Sequence, residues 1–141
     1  MRERNNEKVL VIPCSGIGKV HGLISREATY LVTDELAPDD AETLCLALLV
    51  MGDADAVAMV QRQPCITVDG CPKACAQKNV EMAGGTVVNA VRVVEAFKGH
   101  QGAQPGSASS LASDGWTIAR EIAEMIVSEV ERLRAGAEVT R

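Results

Sequence analysis

Apolar positions fall in short blocks separated by Gly, Pro and charged residues, and their spacing changes from block to block. Lys8-Val9-Leu10-Val11-Ile12-Pro13 is apolar and β-branched and gives way to Cys14-Ser15-Gly16, the pattern of a buried strand running into a loop. Val20, Leu23, Ile24, Ala28, Leu31 and Val32 then recur at intervals of three and four, which predicts a helix that stops near Leu36-Ala37-Pro38. The run Thr43-Leu44-Cys45-Leu46-Ala47-Leu48-Leu49-Val50 suits either a buried strand or a buried helix, and is read as a strand. Gly52-Asp53 breaks it, and a short helix over 54–63 ends before Pro64.

Ile66-Thr67-Val68-Asp69 reads as the next strand. Gly70 frees the backbone for a turn, and Pro72 suits the start of a helix running from Cys71 to Ala83. After Gly84-Gly85, the β-branched residues of 86–94 predict another strand. Gly, Ser, Ala, Gln and Pro dominate 99–113, a flexible loop, and Ile118, Ile122, Ile126 and Val130 mark the apolar stripe of a C-terminal helix over about 114–134. The last residues, 135–141, are expected to fray.

Strands alternating with helices imply an α/β fold: a mainly parallel sheet of about four strands flanked by helices, in flavodoxin- or Rossmann-like layering with right-handed crossovers. The length of 141 residues, 47% of them hydrophobic, suits a single domain spanning 1–141 around one continuous core. In such folds sites lie beyond the carboxyl ends of the strands, where Cys14 and Cys71 both stand.

The charge pattern narrows the partners. A net charge of -5, no Lys/Arg cluster and only three aromatic residues, Tyr30, Phe97 and Trp116, argue against nucleic acid. No apolar stretch approaches the roughly 20 residues needed to span a bilayer. The polar start Met1-Arg2-Glu3-Arg4-Asn5-Asn6-Glu7 lacks the form of a secretory signal. A cytoplasmic protein with no membrane contact is expected, while a protein partner or homo-oligomer is compatible with the pattern but encoded in no motif.

In a reducing compartment, five cysteines point to metal binding or redox chemistry more readily than to disulfides, with small buried hydrophobes as the plain alternative. Cys71 and Cys75, one helical turn apart, would share a helix face, and the helix start would favour the Cys71 thiolate. Cys14 begins Cys14-Ser15-Gly16-Ile17-Gly18-Lys19, a glycine-rich turn that matches neither the dinucleotide fingerprint nor the P-loop. Cys45 lies between Leu44 and Leu46 and suits packing as well as ligation. Cys65 opens a strand below the carboxyl edge and reads as core. His21 and His100 have no paired partner in sequence.

Together, Pro13-Cys14-Ser15-Gly16-Ile17-Gly18, Cys45-Leu46 and Val68-Asp69-Gly70-Cys71-Pro72-Lys73-Ala74-Cys75-Ala76 resemble the zinc-binding family named for its Asp-Gly-Cys (DGC) motif. The resemblance runs from about Lys8 to Val94. It implies one zinc site made by Cys14, Cys45, Cys71 and Cys75, leaves Cys65 outside the pattern, and brings no reaction with it. Four thiolates suit tetrahedral zinc in a closed, structural shell. The same donors suit an iron–sulfur cluster, though not at either common ferredoxin spacing. A cysteine-based sulfur carrier or thiol enzyme using Cys71 is the other class, for which no base is evident in the sequence.

Overall fold

A computed structural model describes residues 7–16 and 18–139. Its sheet contains β1 (Val9–Pro13), β2 (Ala41–Glu42), β3 (Cys65–Asp69) and β4 (Val87–Arg92), in the order β2-β1-β3-β4 with every neighbouring pair parallel. From β1 the chain moves outward to β2, then returns across β1 to place β3 on its other side. The order therefore reverses between β1 and β3, and a crevice opens beyond their carboxyl ends.

The α/β layering expected from the sequence is present, and side-chain alternation along the strands creates it. On one face Val9, Val11, Ile66 and Val68 pack against α1 (Val20–Tyr30) and α6 (Ser113–Val139). On the other, Leu10, Ile12 and Cys65 meet α2 (Leu46–Val50), α3 (Ala54–Arg62) and α4 (Cys75–Met82). The stripe Ile118, Ile122, Ile126 and Val130 is fully buried or nearly so. Each such side chain contributes roughly 1.5–3 kcal/mol, which is what docks α6 while Arg120, Glu121, Glu124 and Glu131 stay in water. The helix continues to Val139, past the expected end near 134, because nothing after Leu133 breaks it.

Several other elements fall where the pattern puts them. After α1 the helix widens into a π-helical stretch over Leu31–Leu36, closed by the Ala37 N–H donating to the Val32 carbonyl, and Pro38 lies just beyond. Asp53 caps α3 by accepting the Ala56 N–H at 3.0 Å. β4, by contrast, ends at Arg92, short of the strand read over 86–94, and passes directly into the short helix α5 (Val93–Ala96). The loop over 99–113 is tied by an isolated bridge between Gly106 and Leu111 and by Ala112 N–H to the Pro105 carbonyl.

Two further expectations are corrected. The strand read over 43–50 is not formed. Strand pairing stops at Glu42, Cys45 is extended, and Leu46–Val50 is helix α2. The segment has few β-branched residues, and its Leu and Ala are strong helix formers. The helix read from Cys71 begins instead at Cys75, with Ala74 in the left-handed region at φ 54°. Among the described residues, no helix is long and apolar enough to cross a membrane.

Candidate metal centre

Cys14 is the first residue after β1. Its N–H still pairs with the Val68 carbonyl at 2.9 Å, so the end of β3 fixes where the side chain leaves the sheet. The half-buried Sγ accepts the Gly70 N–H at 3.2 Å and lies 3.6 Å from Ser25 Oγ. Ser25, fully buried on α1, donates to the Gly22 carbonyl at 2.6 Å and accepts the Ser15 N–H at 3.3 Å. Because the single hydroxyl proton of Ser25 is committed to Gly22, a protonated Cys14 donates to Ser25. Ser15 adopts φ 51°, uncommon for a residue with a side chain, and these bonds hold it there.

The second loop approaches from β3. A Cβ at Gly70 would stand 2.9 Å from the Gly22 nitrogen and 2.9 Å from the His21 carbonyl carbon, so the β3–α4 loop lies directly on the start of α1. A Cβ at Gly22 would stand 2.7 Å from the Gly16 Cα. Three glycines thus let two loops and a helix meet backbone to backbone, and Cys14 sits in that contact.

Asp69 explains why α4 starts late. Its buried carboxylate accepts the N–H groups of Ala76 at 2.7 Å and Gln77 at 3.1 Å, satisfying the first turn of α4 from across the loop. Hydrogen bonds to a charged group contribute about 1.5–3 kcal/mol each, enough to favour this reach over a helix starting at Pro72. Cys75 becomes the first helical residue, exposed, and Cys71 stands half-buried in the loop before it. The two cysteines therefore do not share a helix face. The helix-start environment expected for Cys71 belongs to Cys75.

Cys45 is exposed and immediately precedes α2, three residues past β2. It lines, with Cys14, Ser15, Arg26, Tyr30 and Thr43, a cavity of about 600 Å³ beside the carboxyl end of β1. Cys65 is buried in the core. Its thiol stands 3.4 Å from the Gln63 carbonyl, and burial pushes its pKa up to about 11, which keeps it protonated. The ring of His21 packs on Phe97 at 4.6 Å, with its pKa lowered by burial and then by Lys19. His100 Nε2 meets the Glu121 carboxylate at 2.9 Å. Ile17 of the glycine-rich turn lies outside the described residues.

The four edge cysteines follow the carboxyl ends of three adjacent parallel strands: Cys45 after β2, Cys14 after β1, and Cys71 and Cys75 after β3. The structure brings Cys14 to Gly70, the neighbour of Cys71, and to the same cavity as Cys45. As they stand, no three His, Cys, Asp or Glu side chains among the described residues are placed to hold one metal ion. The donors suit a thiophilic ion in kind and in location, but are not gathered around a point.

Sequence reasoning missed Ser25, Gly22 and the capping role of Asp69. A serine on the apolar stripe between Ile24 and Ala28 was the available signal. No curated protein and no solved structure matches the chain. The DGC domain model matches residues 10–130, reaching past Val94 through the loop into α6, and the chain belongs to the DGC domain family.

Proposed function

We propose that this is a metal-binding protein in which Cys14, Cys45, Cys71 and Cys75 together hold one ion, zinc. The observation that supports this reading is the position of four cysteines, on three segments, along the carboxyl edge of one parallel sheet, beside its reversal point. Four sulfur donors satisfy tetrahedral zinc without an open position, so the ion would serve structure rather than catalysis. Cys45 and Cys75 are exposed and are the ligands that would move inward. Cys14 is already seated by Gly70 and Ser25. Cys65, buried and protonated, takes no part.

A reactive-thiol reading has one specific support, the Gly70 N–H directed at Cys14 Sγ at 3.2 Å. It favours Cys14 over Cys71, whose expected helix start is absent. Alkylation of native protein before and after a strong chelator separates the two readings. For a zinc site, Cys14, Cys45, Cys71 and Cys75 are slow to react in metal-replete protein and gain reactivity together on chelation, while Cys65 stays slow throughout. Rapid alkylation of Cys14 alone in metal-replete protein contradicts the zinc reading and supports a thiol enzyme or sulfur carrier.

A further inference from the structure

The cavity between the carboxyl ends of β1 and β2 has a property that the thiols do not explain. Arg26, half-buried on α1, lines it and makes no hydrogen bond or ion pair with the described residues. Of the other described arginines, Arg92 bonds the Gln77 side chain and Arg120 is exposed on α6, while three pair with carboxylates, so Arg26 is distinguished by being half-buried on a cavity wall without a partner. Arg62 pairs with Glu7, Arg132 with Glu129, and Arg134 with Asp40 at 3.3 Å. Tyr30 stands one helical turn after Arg26 and lines the same cavity, with Ser15 and Thr43 on the facing loops. The volume of about 600 Å³ lies within the usual range for small-molecule sites. It lies beyond the carboxyl ends of β1 and β2, the edge of the sheet on which open α/β folds take ligands, one strand from the reversal between β1 and β3.

We propose that this cavity binds a small oxyanion, a carboxylate or a tetrahedral phosphate or sulfate. The guanidinium of Arg26 receives it through paired N–H donors, with the hydroxyls of Tyr30, Ser15 and Thr43 as further donors. A planar fork that is always charged suits both oxyanion types, and partial burial limits competition from water. The cavity shares Cys14 and Cys45 with the proposed metal site, but the donors assigned to the anion, Arg26 and Tyr30, are not ligands of that site.

The test is a nuclear magnetic resonance titration of the whole chain, following the Arg26 Nε–H and the backbone amides of Ser15 and Thr43. Sodium phosphate and sodium succinate are the probes, with sodium chloride at matched ionic strength as the control. The expected result is a saturable shift at these groups that chloride does not produce. Saturation by phosphate alone identifies a tetrahedral anion, saturation by succinate alone a carboxylate, and saturation by both the shared chemistry. Arg26→Gln should weaken binding by roughly ten- to a hundredfold. Arg26→Lys, which keeps the charge and loses the fork, should weaken it less.

Shifts in the wild-type chain that follow ionic strength alone overturn the proposal, whatever the variants do. So does unchanged affinity in both variants. Zinc content measured on the same samples reports on the thiol site separately, so failure of one reading leaves the other to be judged by its own result.

Discussion

Replacing Gly22 with alanine should destabilise the protein by about 3 kcal/mol, although the same change in an ordinary helix stabilises by about 1 kcal/mol. Two effects oppose each other at this position. Alanine lowers the backbone entropy lost on folding, which favours the variant. Its Cβ would stand 2.7 Å from the Gly16 Cα, with overlap on the adjoining Gly16 backbone, and backbone has no rotamer into which to retreat. Steric overlap wins unless the Cys14–Gly16 loop lifts away from α1, and lifting it breaks the Ser25–Ser15 bond. Gly99→Ala is the control, since nothing lies within 4 Å of an added Cβ there. Urea unfolding of the two variants measures the difference. A neutral or stabilising Gly22→Ala would mean that the loop is not seated on the helix as described.

The larger expected effect concerns the thiols. Structural zinc sites bind with about 10–16 kcal/mol, so losing one ligand of four should cost about 3 kcal/mol or more, a hundredfold or greater loss of affinity. Cys14→Ser is the most informative single change. A serine oxygen can still accept the Gly70 N–H and meet Ser25, so the metal-free fold should survive while zinc binding does not. Cys71→Ser should lose zinc equally. Cys65→Ser replaces a buried, protonated thiol that is no ligand, so stability should fall by about 1 kcal/mol with zinc content unchanged. Competition with a chromogenic chelator measures zinc binding in these variants and in Cys45→Ser, and urea unfolding measures their stability. If Cys65→Ser removed the metal while Cys45→Ser retained it, the fourth ligand would have been misassigned.

What could be read from the sequence was whatever periodicity or chain order dictates. β1, α1, β3 and α6 each carry a recurring apolar pattern, α3 is bounded by Gly52-Asp53 and Pro64, and strands alternating with helices left a parallel sheet as the economical arrangement. The placement of Cys65 in the core followed from counting residues along β3. The run over 43–50 could not be decided in this way, because consecutive Leu and Ala residues have no period. The outcome turned on β2 ending after two residues at the sheet's edge.

The start of α4 was illegible for a different reason. Pro72 gives a local signal for a helix start, and a tertiary bond overrides it: the Asp69 carboxylate reaches Ala76 and Gln77 over the intervening loop. Local patterns do not record such bonds. For the site, the cysteine positions were plain in the sequence, whereas the parts that seat Cys14 were not. Gly22 looks like a weak point in a helix until Gly16 is seen against it, and Ser25 looks like a lapse in an apolar stripe until it is seen bonded to Ser15. Arg26 carries no sequence signal at all, since its lack of a partner is a property of the folded surface.

The central claim is that four sulfurs hold one zinc ion, and the direct measurement is elemental analysis with X-ray absorption on protein purified without added metal and without oxygen. The predicted result is one zinc per chain, with a shell of four sulfurs near 2.3 Å. Protein free of stoichiometric metal would contradict the account, as would iron in place of zinc or a shell of oxygen and nitrogen.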